Sequence, residues 1–336
     1  MDGKALAILK QEIRQAIEPA LNDSAAISNW DEQVLDKNKF IVSREFCSSK
    51  KICFIDGGNA LLLKTANFAL HLVRVVAVTM HLNKTVGFAK SEFLSLARAI
   101  FNGKTLMYQC SNHFLSGIQL ELPLSVPAYE LNNEISLAGE LMRRLAEIEL
   151  AKHTDLQEGD TIVLDGTLEA KAACEYQALF EMLEKNHEKK LLVMGLCKTS
   201  SLLTKHGKSL STALFLMGPN TIWHYKLGDI SQKMHQSKLF YVRLHVKSRH
   251  AFRLEISSFA ELLDMGKAVG FLAYNSKDLS FPGYPYGLIK ADMLARINEK
   301  EKQTARARVL ASISSKELQA SLGSQDAHEL LDAGHF

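Results

Sequence analysis

The chain has 336 residues, 47% hydrophobic and 23% charged, with 40 Lys and Arg against 37 Asp and Glu. That is an ordinary globular composition, long enough to bury a core in one large domain with appendages or in two small ones. A net charge of +3 argues neither for nor against a nucleic-acid partner, so any basic patch must be local. The five cysteines are odd in number and form no CxxC pair, which disfavours a disulfide framework or a thiolate zinc site and suits a reduced, cytoplasmic protein. The first residues carry charges throughout and do not read as a signal peptide, and no run approaches 18 apolar residues, so no membrane span is expected.

In chain order, Leu6, Leu9, Ile13 and Ile17 predict an amphipathic helix over 4–18, stopped by Pro19 and followed by a linker over 22–29. A strand over 51–55 ends at Asp56-Gly57-Gly58, and apolar runs over 60–64, 68–82 and 85–88 predict a meander. Residues 90–101 read as a helix, and a long helix is expected over 129–152. A short apolar strand over 161–164 runs into Asp165-Gly166, then come a helix over 168–186 and a strand over 190–194. Strands are expected over 213–217, 221–227, 239–247 and 251–256, and helices over 258–269 and 287–319, with a tail that docks weakly. A meander combined with strand–helix alternation predicts an α/β fold: a mixed sheet flanked by helices.

Two segments share one design. Cys53-Phe54-Ile55-Asp56-Gly57 and Ile162-Val163-Leu164-Asp165-Gly166 are apolar strands that run into Asp-Gly. Asp-Gly alone is a favoured turn pair. Two such strands side by side would aim both carboxylates into one crevice at the sheet edge. Carboxylates that close repel unless a cation sits between them, and a few hard oxygen ligands suit Mn²⁺ or Mg²⁺, which can promote phosphodiester cleavage. A third acid is expected from the helix over 129–152. Its apolar stripe places Glu149 in the buried sector, with Glu140 and Glu147 on a flanking face, so helical geometry mildly favours Glu149.

With these pieces in place, the sequence resembles the NurA nuclease family over residues 40–300. The segments that carry the resemblance are Phe54-Ile55-Asp56-Gly57-Gly58, the run from Arg143 to Ala151, the run from Gly159 to Leu168, and the run from Gly195 to Ser200. They continue with Phe240 to His245, Phe252 to Ile256, and Gly283-Tyr284-Pro285-Tyr286 on to Asp292. The resemblance implies an RNase H-like domain over 40–300, an N-terminal helix and linker over 1–39 and a C-terminal helical tail over 301–336. It implies a DNA nuclease supported by Mn²⁺ (or Mg²⁺), a 5′→3′ exonuclease and single-strand endonuclease. It also implies a homodimer that works with a HerA-type hexameric ATPase in DNA end resection and recombinational repair. Asp56 and Asp165 match the family's metal-binding aspartates, and Glu147 matches its helix acid within R-x-x-E-x-x-x-A, against the helical-wheel preference for Glu149. Lys198 matches a family lysine suited to a phosphate, and Asp292 stands where some members carry histidine.

Arg243, His245, Lys247 and Arg249 alternate along the strand expected over 239–247 and beyond, and with Arg253 could line a DNA channel or form a solvated outer face. Tyr284 and Tyr286 offer stacking platforms for unpaired bases, or pack a rigid turn. Two other functions stay open: an actin-like phosphotransferase or ATPase, using Asp56-Gly57-Gly58-Asn59 as a phosphate loop, and an inactive adaptor that kept the fold. A P-loop enzyme is excluded, because no GxxxxGK[ST] occurs.

Overall fold

The structure is a computed structural model that describes residues 34–122, 125–260 and 265–312, together with positions 10, 12, 13 and 24–26. The helix expected over 4–18 falls almost wholly outside the described residues, and the tail beyond 312 lies outside them. Thirteen strands are described: β1 (Ala25–Ala26), β2 (Phe40–Val42), β3 (Ile52–Lys64), β4 (Phe68–His81), β5 (Lys84–Phe101), β6 (Leu106–Gly117), β7 (Ser125–Pro127), β8 (Thr161–Asp165), β9 (Leu192–Cys197), β10 (Leu203–Thr204), β11 (Trp223–Gln232), β12 (His235–Arg243) and β13 (Phe252–Ser257). The described helices are α1 (Leu137–Lys152), α2 (Ala173–Glu188), α3 (Leu210–Met217), α4 (Met265–Tyr274), α5 (Tyr286–Ala295) and α6 (Glu299–Ser312).

Eleven strands form one mixed sheet in the order β2-β11-β12-β13-β9-β8-β3-β4-β5-β6-β7. Within it, β3, β8 and β9 run parallel, β4 folds back antiparallel on β3, and β5 antiparallel on β4. A meander of three strands followed by two parallel ones, with α1 and α2 in the crossovers, is the RNase H-like arrangement. Side-chain alternation along β3 divides the two faces. Cys53 and Ile55 enter a core with Leu145 and Ile148 of α1 and Leu179 of α2. Ile52 and Phe54 enter a second core with Leu288, Ala291 and Ala295 of α5. The parallel strands are buried on both faces, which is why they read as unbroken apolar runs.

Several expectations need correction. Residues 90–101 form the last two thirds of the 18-residue strand β5, not a helix. Phe93 and Ala97 face one core while Leu94 and Leu96 face another beneath α6, so two-sided burial imitates helical spacing. The helix expected over 129–152 is split: a 3-10 turn over Ala128–Leu131 gives way to Asn132 and Asn133 at φ 52° and 57°, and α1 starts only at Leu137. The strand expected over 213–217 is the helix α3, whose cap is Ser209, accepting from the Thr212 amide. The helix expected over 287–319 breaks after Ala295, where Arg74 of β4 donates to the Arg296 carbonyl and pairs with Glu301.

Helix α1 sits close on β4. A Cβ on Gly139 would come within 2.2 Å of the His71 ring. His71 is buried, and burial pushes its pKa down to about 4, against the opposing pull of Glu140. The folded pKa therefore lies below the unfolded value of about 6.5. The stabilisation is present above pH about 6.5 and is lost as pH falls through 4, by an amount on the order of 2–3 kcal/mol. Urea unfolding between pH 7.5 and 4.5 should show this loss, and a His71→Leu variant should show a shallower slope over that window.

Candidate active site

The parallel register pairs Ile55 with Leu164, so the next residues along, Asp56 and Asp165, reach the same edge of the β3–β8 seam. β8 ends at Asp165, and Gly166 turns the chain at φ 114°. Asp56 differs from the expected strand end: β3 continues through Gly57 and Gly58, paired with Val75 and Arg74 of β4, to Lys64. Those glycines answer to space instead of a turn. A Cβ on Gly57 would lie 2.7 Å from Glu147 Oε1, and one on Gly58 would lie 2.4 Å from the Ala295 carbonyl oxygen. Close approach of α5 is also secured at Gly287, where a Cβ would lie 2.0 Å from the Phe54 ring. That approach brings Asp292 over the seam.

Carboxylate oxygens of Asp56, Asp165 and Asp292 lie within 4.8 Å of one another. Lys198, just past β9, sets its ammonium among them, at 2.6 Å from Asp165 Oδ2, 3.1 Å from Asp292 Oδ1 and 3.9 Å from Asp56 Oδ2. Asp292 also accepts from the exposed Arg296 guanidinium at 2.7 Å. Tyr284 is buried, and its hydroxyl donates to Asp165 Oδ1 at 3.2 Å. Burial, then the charges of Asp165 and Glu147, raise the Asp56 pKa to about 8, although Lys198 and the Gly57 amide pull it down. Burial together with the negative charges of Asp165 and Asp56 pushes the Tyr284 phenol upward, keeping it a donor.

Glu147 approaches from the opposite face of β3, beneath Gly57, and is fully buried. Arg143 donates to its Oε1 and Arg144 to its Oε2, the latter at 3.1 Å. Burial raises its pKa even against the two guanidinium groups. Glu149 points elsewhere, to Lys152 at 2.9 Å and His153 at 3.7 Å. Glu147 therefore lies beside the seam and Glu149 does not, and among the described residues Asp292 gathers with the two strand aspartates. A cleft of about 650 Å³ opens on the Glu147 side, lined by Arg143, Arg144, Asp165 and Lys171 among others.

The donor set fits a hard divalent cation. It offers several carboxylate oxygens converging within one ion's reach, and room for a positive group, which Lys198 occupies.

The strand alternation expected at a nucleic-acid surface does not form. β12 stops at Arg243, so Arg243, His245, Lys247 and Arg249 do not share a strand face. The buried Arg243 guanidinium instead binds the carbonyls of Val246 and Ser248, holding the turn that follows it. His245 Nδ1 accepts from the Lys247 amide. Arg253 is buried on β13 and paired with Glu255. Tyr284 is inside, whereas Tyr286, at the start of α5, is 40% exposed. Sequence reasoning assigned no role to Arg143, Arg144 or Arg296. Their i,i+3 and i,i+4 spacing from Glu147 and Asp292 was the available signal.

An RNase H-like sheet with carboxylates gathered at the seam of its first and fourth strands defines the class to which this molecule belongs. The NurA domain family matches residues 50–297, and the chain is a member of that family. The crystal structure of the NurA nuclease from Sulfolobus solfataricus superposes with a TM-score of 0.53 at 14% identity, covering 92% of this chain and 93% of that one. A second NurA crystal structure gives a TM-score of 0.53 at 10% identity, covering 94% and 97%. Among curated proteins no sequence matches.

The glycine contacts make a stability prediction. Gly58→Ala drives a Cβ against a backbone carbonyl, whereas Gly57→Ala meets side-chain atoms of Glu147, Arg143 and Val75. Both should destabilise, Gly57→Ala by about 1–2 kcal/mol and Gly58→Ala by about 3 kcal/mol or more. Urea unfolding of the two variants checks the order.

Proposed function

We propose that this chain is a metal-dependent deoxyribonuclease whose centre is held by Asp56, Asp165 and Asp292, with Glu147 completing the acidic site from the other face of β3. The single observation that carries this reading is the convergence of three carboxylates from β3, β8 and α5, in a member of the NurA family. A bound Mn²⁺ or Mg²⁺ supplies Lewis acidity toward a phosphodiester. Lys198, 41% exposed in its side chain, is the group placed to neutralise a phosphate oxygen beside the aspartates. Tyr284 orients Asp165 through its hydroxyl. Tyr286, exposed at the start of α5, can stack on an unpaired base. Arg243 and Arg253 are left out of the DNA surface because their guanidinium groups are engaged internally.

The family resemblance supports the finer parts of the reading: 5′→3′ exonuclease and single-strand endonuclease action, a homodimer, a HerA-type hexameric ATPase partner, a role in end resection and repair, and a cytoplasmic setting. No described helix is long and apolar enough to cross a membrane. The phosphotransferase alternative loses its main support, because Asp56-Gly57-Gly58-Asn59 lies inside a paired strand and is not a loop free to wrap phosphates. The inactive-adaptor alternative has to explain why the carboxylates are retained with their pairing groups.

End-labelled single-stranded DNA should be degraded with Mn²⁺ and spared with EDTA. Asp56→Ala, Asp165→Ala and Asp292→Asn should each lose activity by about a hundredfold or more. A pure wild-type chain that is inert both alone and with the ATPase would favour the adaptor. Tight, metal-dependent ATP binding would favour the phosphotransferase.

A further inference from the structure

Arg144 is the side chain that ties the two halves of the acidic site together. It is only 12% exposed and touches three separate elements. Nη1 donates to Glu147 Oε2 at 3.1 Å within α1, and Nη2 donates to the Thr167 carbonyl, two residues after Asp165. Nε reaches Glu175 Oε1 of α2 at 3.4 Å. Glu175 is itself buried, and its other oxygen accepts from the Lys171 amide at 2.8 Å. The loop leaving Asp165 is thus held at Thr167 and Lys171 from the α1–α2 side. From the opposite side, buried Glu255 accepts from the Leu168 amide and from His235, each at 2.8 Å. Arg143 differs: its ion pairs, to Glu140 and Glu147, stay within its own helix.

A planar guanidinium with five donors in a fixed fork can serve three partners at once, which a lysine ammonium on a flexible stem cannot do with the same geometry. We propose that Arg144 is a positioning residue that fixes Glu147 and the Asp165 loop relative to each other, so that the affinity of the site for a divalent cation depends on it. The inference rests on the reading of the aspartate cluster as a divalent-cation site. Groups that orient a ligand without touching the metal commonly set affinity by about 10–100-fold.

The test is direct Mn²⁺ binding, followed by the electron paramagnetic resonance signal of free Mn²⁺, on the full chain. Arg144→Ala should bind about 10–100-fold more weakly than wild type, Arg144→Lys should recover little, and methylguanidinium should restore part of the loss to the alanine variant. Glu175→Gln, which keeps Arg144 but weakens one anchor, should lose affinity by a few-fold. Leu183→Ala, in the same core, should lower Tm without changing affinity. Wild-type affinity in both Arg144 variants overturns the proposal. So does a loss of equal size in Leu183→Ala, which would mean that general loosening is the cause. If wild type fails to bind Mn²⁺, or Asp165→Asn binds as wild type does, the cation-site reading itself fails and takes this inference with it.

Discussion

Negative charge crowded at the seam between β3 and β8 is the constraint around which the molecule is arranged. Three aspartates reach within 4.8 Å of one another, and a buried glutamate adds a fourth carboxyl group from beneath. At such separations each pair of like charges costs several kcal/mol unless solvent or a cation intervenes. Four cations near the seam are paired with these acids. Lys198 sits among the aspartates, Arg296 holds the outer oxygen of Asp292, and Arg143 and Arg144 take the two oxygens of Glu147. The glycines serve the same end by letting α1 and α5 come close enough to deliver their acids.

Much of this was legible in the chain. An apolar run into Asp-Gly, met twice, located both strand aspartates, because a strand buried on two faces leaves an unbroken hydrophobic signature. The same signature misled at residues 90–101. There β5 is covered on one side by the main core and on the other by α6, and a strand apolar on both faces carries no alternation to separate it from a helix. The α/β class and the mixed sheet survived that error because the strands around the seam were read in their right order.

The choice among acids was only partly legible. A helical wheel reports which side of a helix is covered, not what covers it. Glu147 and Glu149 are both buried on α1, so burial alone could not separate them. What separates them is the partner: Gly57 and two arginines for Glu147, Lys152 and His153 for Glu149. Asp292 arrives from a helix more than a hundred positions beyond Asp165 in the sequence, and only the tertiary approach of α5 shows it to be nearest. The basic alternation after Arg243 failed for a similar reason. Period-two spacing implies a shared face only while the strand lasts, and β12 ends at its first member.

A nearly neutral chain whose site cations are already paired has little free positive charge to attract a polyanion at that point. In the proposed nuclease, substrate attraction and cation binding are therefore linked at one place. Under the proposed function, a divalent cation at the aspartates competes with Lys198 for their oxygens and frees the lysine for a phosphate. The lysine and the acidic cluster then act as one exchangeable charge balance. The rigid arms behind them, Arg144 on one side and Glu255 on the other, keep the loop after Asp165 in place while that balance changes.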